Sequence, residues 1–208
     1  MGVAVFGGSF DPVHIGHLHV ADSALLIPWV DHVYFVPAGM PPHKKLSGGA
    51  DGQQRLAMLS QSVADRPGLS VLDWELGESG PSYTCPTVER VRKELSGDAR
   101  VGLIIGTDLL PGFTTWKDWS DLLTLVTLLL TRHPDGDDPR AVLDSKQLQA
   151  YPSQLRSAIE RAEVIDHIPL SISSSSVRNR IARGSRYRDL LPESANRIIH
   201  DQGLYSFQ

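Results

Sequence analysis

The chain has 208 residues, of which 41% are hydrophobic and 21% charged, and its net charge at pH 7 is −4. These values exclude a disordered chain, and the acidic balance argues against a general nucleic-acid binder, which needs a basic face for the phosphates. Cys85 is the single cysteine, so no internal disulfide and no cysteine-based zinc site is expected. The chain starts without the pattern of a secretion signal, and its longest apolar run, at residues 122–130, is too short to span a bilayer. We therefore expect a single cytoplasmic domain, residues 1–208, that binds neither nucleic acid nor membrane.

Short β-rich runs alternate along the chain with amphipathic helical stretches, which is typical of a parallel sheet covered on both faces. In chain order, strands are predicted at residues 3–6, 32–36, 70–73, 101–105, 125–131 and 164–167. Helices are predicted from residue 14 or 15, over 53–64, with Leu56, Leu59 and Val63 on its apolar face, and over 86–95, 153–162, 174–182 and 192–201. The pattern predicts an α/β fold: a Rossmann-like, doubly wound, mostly parallel sheet with a small helical part from about residue 170.

Two glycines and two histidines follow the first predicted strand. Gly7 and Gly8 let the backbone bend and approach a ligand without a Cβ in the way. His14 and His17 are three residues apart and would share one face of a helix, whose N-terminal N–H groups point to the sheet edge where phosphates bind. A metal pair or two capped surface histidines would be the commoner explanation of two such histidines alone. Here, however, the histidines follow a strand, a glycine turn and Pro12 and stand at a helix start. This combination predicts a binding site for polyphosphate oxygens.

Two further segments are expected at the same edge of the sheet. Ser173 or Ser174 is a candidate N-cap for a helix that carries Arg178, and such a helix start suits a triphosphate, with an ordinary cap and a solvated arginine as the alternative. Gly106 and Asp108 follow the strand at 101–105, so they should emerge beside the histidines, although an aspartate there is also a common helix cap.

Residues 82–84 precede the helix predicted at 86–95, so their backbone N–H groups could receive a carboxylate. Trp116 lies in the polar stretch "FTTWKDW" and is either packed locally or a platform for a ligand. Trp74 and Trp119 are assigned to packing. Cys85 is expected to be packed and unreactive.

The segment "GGSFDPVHIGH" at residues 7–17 resembles the H-x-G-H motif of a nucleotidyltransferase superfamily, and other segments are similar to bacterial nicotinate-nucleotide adenylyltransferases. These segments are "PPHK" at 41–44, "GPSYT" at 80–84, "IIGTD" at 104–108, "TW" at 115–116, "ISSSSVR" at 172–178 and the ending "LLPESANRIIHDQGLY". Together they cover essentially the whole chain. The family usually has Thr and Ile where Ser175 and Val177 stand here, and these replacements keep the hydroxyl and the apolar side chain.

The resemblance implies transfer of an adenylyl group from ATP to nicotinate mononucleotide in NAD biosynthesis, with deamido-NAD and pyrophosphate as products. Mg²⁺ would enter with ATP, since no protein metal site is evident. The residues implied in catalysis are His14, His17 and Arg178. Those implied in ATP binding are Gly7, Gly8, Ser9, Phe10, His14, His17, Gly106, Asp108, Ser174, Ser175 and Arg178, and those implied in binding nicotinate mononucleotide are Ser9, Lys44, Tyr83, Thr84, Trp116 and Lys117.

Several alternatives stay open on the sequence. A relative could act on phosphopantetheine, on glycerol phosphate with CTP, or on the nicotinamide mononucleotide, and a nucleotide sensor could keep the fold without turnover. A class I aminoacyl-tRNA synthetase is excluded because the chain has no room for tRNA-binding parts and no K-M-S-K-S run. A dehydrogenase is disfavoured because G-x-G-x-x-G is missing after the first strand. The sequence leaves the oligomeric state open.

Overall fold

A six-stranded parallel sheet forms the centre of the protein, in a computed structural model that describes residues 2–39, 49–78, 80–95, 99–133, 136–168 and 170–206. The strands lie in the order β3-β2-β1-β4-β5-β6. Because the chain winds outward from β1 in both directions, the boundary between β1 and β4 is the switch point at which open α/β sheets bind ligands. The strands are β1 (Gly2–Gly8), β2 (His32–Pro37), β3 (Leu69–Val71), β4 (Arg100–Gly106), β5 (Thr127–Thr131) and β6 (Glu163–Val164).

Helices cover both faces of the sheet. One face packs against α1 (Ile15–Ala24), α2 (Gly52–Val63), α7 (Ser174–Ala182) and α8 (Glu193–Asp201), and the other against α3 (Thr84–Glu94), α4 (Trp119–Leu125) and α6 (Ser153–Glu160). A shorter helix, α5 (Pro139–Leu143), lies between β5 and α6, and 3₁₀ helices span Trp74–Gly77, Thr107–Thr115, Lys146–Ala150 and Arg188–Leu190. No helix in the described ranges combines the length and apolar character needed to cross a bilayer.

Side-chain alternation along the strands explains why the sheet carries two apolar cores. In β1, Ala4 packs into the core beside α1 and α2, whereas Val3 and Val5 pack into the core beside α3 and α4. In β5, Leu129 faces the first core and its neighbours Leu128 and Leu130 face the second. Strands buried on both faces give nearly continuous apolar runs, which is the pattern that identified them in the sequence.

The Rossmann-like, doubly wound fold is confirmed, and every predicted strand exists. Helix α7 has the predicted bounds, and Ser173 caps it by accepting a hydrogen bond from the Ser176 backbone N–H at 3.2 Å. The predicted start of α3 at residue 86 was wrong, because Tyr83 is the N-cap and Thr84 already lies in the first turn. The strand predicted from residue 125 begins at Thr127 instead, since α4 continues to Leu125.

Candidate active site

The loop after β1 forms the floor of the crevice at the switch point. Gly7 is exposed, and a Cβ placed on it would meet no atom within 4 Å, so open space lies above this backbone. A Cβ on Gly8 would lie 3.0 Å from the Phe10 ring. Phe10 adopts a φ of +46°, uncommon for a bulky residue, and its side chain is 1% exposed. The Phe10 side chain therefore packs into the interior beneath the loop. Only the backbone of Phe10 is left for a ligand to contact.

The two histidines stack on each other at the start of α1. His14 is the N-cap residue, and the centroids of its ring and of the His17 ring are 3.6 Å apart with 20° between the planes. The His14 backbone N–H donates to Nδ1 of His17 at 3.2 Å. The expectation that both residues lie on one helix face needs correction, because His14 precedes the helix and its ring folds over that of His17. A Cβ on Gly16 would lie 3.0 Å from Nδ1 of His14, so this glycine leaves room for the ring.

Burial keeps both imidazoles neutral at pH 7. It lowers the pKa of His14 to about 4, with a smaller contribution from the nearby His133. Burial also holds the pKa of His17 well below its usual value, with His14 and then His133 adding to the effect. Since Nδ1 of neutral His17 accepts a hydrogen bond, its proton resides on Nε2, which is then the donor available to a ligand. The pair is a neutral hydrogen-bonding site.

The start of α7 is bound directly to the loop that precedes the histidines. Ser174 Oγ donates to the Pro12 carbonyl at 2.9 Å, and Arg178 Nη1 donates to the Asp11 carbonyl at 2.5 Å. Arg178 Nη2 also donates to Ser175 Oγ at 3.3 Å, which keeps the guanidinium over the first turn of α7. The structure thus brings together the two helix starts at which the sequence predicts phosphate binding.

Asp108 follows β4 and belongs to the same end of the sheet. A Cβ on Gly106 would collide with the Asp108 carboxylate, so glycine is required for this aspartate to fold back. The second oxygen of Asp108 lies 3.7 Å from Nδ1 of His133, a residue close enough to His14 and His17 to lower the pKa of both. Asp108 therefore lies beside His133 at the carboxyl end of β4, and His133 is the residue that connects it electrostatically with the histidine pair.

The segments predicted for the nicotinate ring also meet. Trp116 ends the 3₁₀ helix Thr107–Thr115, and its half-buried ring stacks on buried Phe113 with centroids 4.9 Å apart. Lys117 Nζ lies 4.8 Å from the centroid of the Tyr83 ring. The loop after this 3₁₀ helix is thereby joined to the start of α3, which carries Thr84. The predicted residue Lys44 lies outside the described residues.

Arg55 is a site-supporting residue that sequence reasoning missed. It is 1% exposed, its Nη1 donates to the Ser9 carbonyl at 2.8 Å, and its Nη2 donates to the Gly39 carbonyl at 3.4 Å. The predicted apolar face of α2 was partly wrong, since Leu56 is only half-buried. The buried residues of α2 are Arg55, Met58, Leu59, Ser62 and Val63. The available signal was the position of Arg55 one turn before Leu59, on the buried side.

Glu75 supports the start of α3 in a similar way. It is 8% exposed and accepts a hydrogen bond from Thr87 Oγ1 at 2.6 Å. Burial raises the pKa of Glu75, and hydrogen bonds from Thr87 and Ser82 partly oppose this rise. Ser82 Oγ in turn accepts a hydrogen bond from the Gly39 backbone N–H at 3.0 Å. These contacts connect Gly39, just after β2, through Ser82 and Glu75 to Thr87 in α3. Nothing in the sequence distinguishes Glu75 from a surface acid.

Within the ranges that the structure describes, no group of three or more His, Cys, Asp or Glu side chains could hold a metal ion. The histidine pair and Asp108 do not make such a group. The described residues therefore offer no set of ligands for a resident metal, although reactions of nucleotidyl transfer generally use a divalent ion.

Comparisons with known proteins agree with this geometry. A family model described as "Cytidylyltransferase-like" matches residues 5–180. The fold and site thus define a nucleotidyltransferase of the cytidylyltransferase-like class. The relatives include "Probable nicotinate-nucleotide adenylyltransferase" of Marinobacter nauticus, 33% identical over 97% of this chain and 95% of its own length, and that of Halalkalibacterium halodurans, 36% identical over 98% and 90%. The chain belongs to the nicotinate-nucleotide adenylyltransferase family.

A solved structure supports the fold assignment. Plasmodium falciparum nicotinic acid mononucleotide adenylyltransferase complexed with NaAD superposes with a TM-score of 0.74, covering 100% of this chain and 98% of that one at 18% identity. At this identity the likeness shows a shared fold, and the sequence relatives carry the family assignment.

Proposed function

We propose that the protein transfers the adenylyl group of ATP to nicotinate mononucleotide, releasing pyrophosphate and forming deamido-NAD. The names of the sequence relatives support this activity. The observation that carries it is the junction of two helix starts, in which Arg178 and Ser174 of α7 bond to the carbonyls of Asp11 and Pro12 just before the stacked histidines. This junction concentrates backbone N–H groups, a guanidinium and an imidazole donor, which are the groups that bind phosphate oxygens.

The chemistry needs no protein base. The attacking group is a phosphate oxygen of nicotinate mononucleotide, which is mostly ionised at pH 7 because the second pKa of a phosphate is about 6. The attack breaks the bond between the α-phosphorus of ATP and the bridging oxygen, and pyrophosphate leaves with the negative charge. Catalysis then consists of holding two anions in line and stabilising charge on the phosphates. Imidazoles that stay neutral at pH 7 suit this task, since the N–H group of each serves as a fixed hydrogen-bond donor without transferring its proton.

On the ATP side, we assign the phosphates to His14, His17, Ser174, Ser175 and Arg178. The Nε2–H of His17 donates to the α-phosphate, where charge grows in the transition state. The backbone of residues 7–10 lies along the nucleotide, with Gly7 open to it. Gly106 and the Asp108 carboxylate accept the ribose, and Mg²⁺ is part of the ATP substrate rather than bound by the protein.

On the acceptor side, the ring of nicotinate mononucleotide stacks on Trp116, an interaction of about 1–3 kcal/mol by analogy with base–aromatic stacking. Backbone N–H groups at Tyr83 and Thr84 bind the nicotinate carboxylate, since they start α3 and point outward from it. We assign Lys117 and Lys44 to nicotinate mononucleotide, whose phosphate their positive charge suits, and Ser9 to both substrates. Donors of this kind favour the acid over the amide, whose NH₂ group would face them unpaired. Since the reaction consumes ATP, we place the protein in the cytoplasm.

One experiment separates this activity from the alternatives. The protein is incubated with Mg²⁺, ATP and either nicotinate or nicotinamide mononucleotide, and the product is identified by mass spectrometry alongside pyrophosphate release. Parallel reactions contain phosphopantetheine with ATP, and glycerol phosphate with CTP. We expect deamido-NAD to form fastest; a faster reaction with any other acceptor, or ATP binding without turnover, would overturn the proposal.

A further inference from the structure

The C-terminal segment reaches the predicted ATP site through one buried carboxylate. Asp11 is 1% exposed, and its Oδ1 accepts hydrogen bonds from the Tyr205 hydroxyl at 2.7 Å and from the Ala50 backbone N–H at 2.9 Å. These two donors lie 194 and 39 residues from Asp11 in the chain. One side chain of the loop before His14 thus connects segments from three distant parts of the sequence.

The other oxygen of Asp11 faces the guanidinium of α7. Oδ2 lies 3.7 Å from Arg178 Nη1, which itself donates to the Asp11 carbonyl. Oδ2 is buried without a hydrogen-bond partner in the described part of the chain, and a Cβ on Gly49 would collide with it. Such an oxygen is costly unless charge compensates it, and Arg178, at a distance beyond a hydrogen bond, and the buried Arg55 both supply positive charge to Asp11. The orientation of the carboxylate about its Cβ–Cγ bond therefore adds an electrostatic contact to the hydrogen bonds by which Arg178 is held.

Tyr205 is held in a fixed position from which its hydroxyl can set the orientation of the Asp11 carboxylate. Its backbone has a φ of +63°, a left-handed conformation that a tyrosine rarely adopts, so the surrounding contacts hold it there. Its ring packs against the core beside α1 and α2, and burial together with Asp11 raises the pKa of its hydroxyl, which is therefore a donor at neutral pH. A rigid donor on Oδ1 leaves Oδ2 turned to Arg178.

We propose that Tyr205 is a positioning residue of the ATP site, whose hydroxyl orients the Asp11 carboxylate so that Asp11 holds the Arg178 guanidinium at the phosphate-binding helix starts. This inference rests on the proposed role of Arg178 in binding ATP. It makes the C-terminal turn after α8 part of the nucleotide site, although Tyr205 touches no substrate.

The test compares Tyr205→Phe with Tyr187→Phe. Tyr187 packs against the same core, and its hydroxyl makes no hydrogen bond to a described residue, so it controls for loss of a hydroxyl in this region. The Kd for ATP is measured by calorimetry, and KM is measured for each substrate. Loss of one orienting hydrogen bond should weaken ATP binding by about three- to tenfold in Tyr205→Phe and raise KM for ATP equally. KM for nicotinate mononucleotide should stay within about twofold, and Tyr187→Phe should match the wild type.

A double-mutant comparison tests whether the effect passes through the arginine. In an Arg178→Ala background, Tyr205→Phe should weaken ATP binding no further, because the group it positions is gone. Asp11→Asn, which keeps the size of the side chain and removes its charge, should reproduce the ATP-specific loss even if Tyr205→Phe does not fold.

Three results would overturn the inference: unchanged ATP affinity in Tyr205→Phe, equal losses for both substrates, or a full additional loss in the Arg178→Ala background. Wild-type protein that binds ATP with the expected differences between variants, yet adenylates no nicotinate mononucleotide, would refute the proposed acceptor and support the role of Tyr205. A wild-type protein that binds no ATP would overturn both.

Discussion

At the scale of single residues, the arrangement of His14 and His17 separates their tasks. His14 caps α1 and is buried, and its backbone N–H donates a hydrogen bond to Nδ1 of the His17 ring. His17 is therefore held by a hydrogen bond on one ring nitrogen and by the edges of the Phe6 and Phe10 rings, with centroids 6.1 and 5.0 Å away. A donor fixed in this way needs no reorganisation when charge appears on a phosphate.

We expect His17→Ala to lower kcat by about 10²–10³-fold, as for loss of one preorganised donor, and to raise KM for ATP far less. Steady-state kinetics with saturating nicotinate mononucleotide measure both parameters. His19→Ala, two residues further along the chain, is the control and should keep the wild-type kcat. An unchanged kcat in His17→Ala would rule out the proposed role at the α-phosphate.

The lowered pKa of His14 predicts a loss of stability in acid. The unfolded chain takes up a proton near pH 6.5, whereas the folded protein does so only near pH 4. The free energy of unfolding should therefore decrease as the pH falls from about 6.5 to 4, by about 3 kcal/mol from His14, with His17 acting in the same direction. Above pH 6.5 both states are neutral at His14 and the contribution is constant.

Urea unfolding of wild type and His14→Asn between pH 7.5 and 4.5 checks this expectation. The variant should show a smaller decrease in acid than the wild type, and the exposed His200→Asn should behave as the wild type does. Parallel pH curves for wild type and His14→Asn would show that burial of this imidazole does not control acid stability.

At the scale of elements, α2 contributes stability by a polar contact rather than by its apolar face alone. Arg55→Met keeps much of the side-chain volume but leaves the partly buried Ser9 carbonyl without its donor. We expect the free energy of unfolding to fall by about 3 kcal/mol. Arg66→Met is the matched control, because its ion pair with Asp22 is exposed and such pairs contribute less than about 1 kcal/mol. Equal losses in the two variants, measured by urea unfolding, would contradict the assignment.

Trp116 lies at the end of the 3₁₀ helix Thr107–Thr115, and its ring stacks on the ring of Phe113. We expect Trp116→Ala to raise KM for nicotinate mononucleotide by about tenfold or more, with KM for ATP little changed. Trp116→Phe keeps an aromatic face and should give a smaller increase. An unaltered KM for the mononucleotide in Trp116→Ala would refute the stacking interaction.

These elements also show what the sequence could predict. Strands buried on both faces and the capped helix α7 were identified because apolar runs and a serine cap are local patterns. The 3₁₀ helix Thr107–Thr115 and α4 were missed, since Pro111 and Gly112 indicate a loop and α4 has only 7 residues. Asp11, Arg55 and Tyr205 were missed for another reason: their partners are tens to hundreds of residues away, and no local pattern records such contacts.

At the scale of the whole molecule, the motifs of the predicted site come from the ends of β1 and β4 and from the starts of α1, α3 and α7. Sequence motifs identified these segments, and the parallel sheet explains how they meet, because the carboxyl ends of its strands share one edge. Their roles toward each substrate stay predictions. In the proposed assignment, the nucleotide phosphates bind on the side of α1 and α7, and nicotinate mononucleotide binds at α3.

Removal of metal tests whether a divalent ion is needed for the reaction alone or also for the stability of the fold. We expect EDTA to abolish pyrophosphate release while leaving Tm within about 1 °C, because the described residues offer no cluster for a resident ion. Excess Mg²⁺ should restore activity fully. A marked fall in Tm with EDTA, measured without ATP, would instead indicate a structural metal.

The position of β1 in the sheet has a consequence for synthesis on the ribosome. Residues 2–8 are made well before β4, with which β1 pairs along one side and which follows about a hundred residues later. Until that stretch has emerged, the nascent chain carries an apolar strand with an open edge, the kind of surface that chaperones shield and that self-associates. Such distant pairing is slow to form, so productive folding of this enzyme should wait until translation is well advanced.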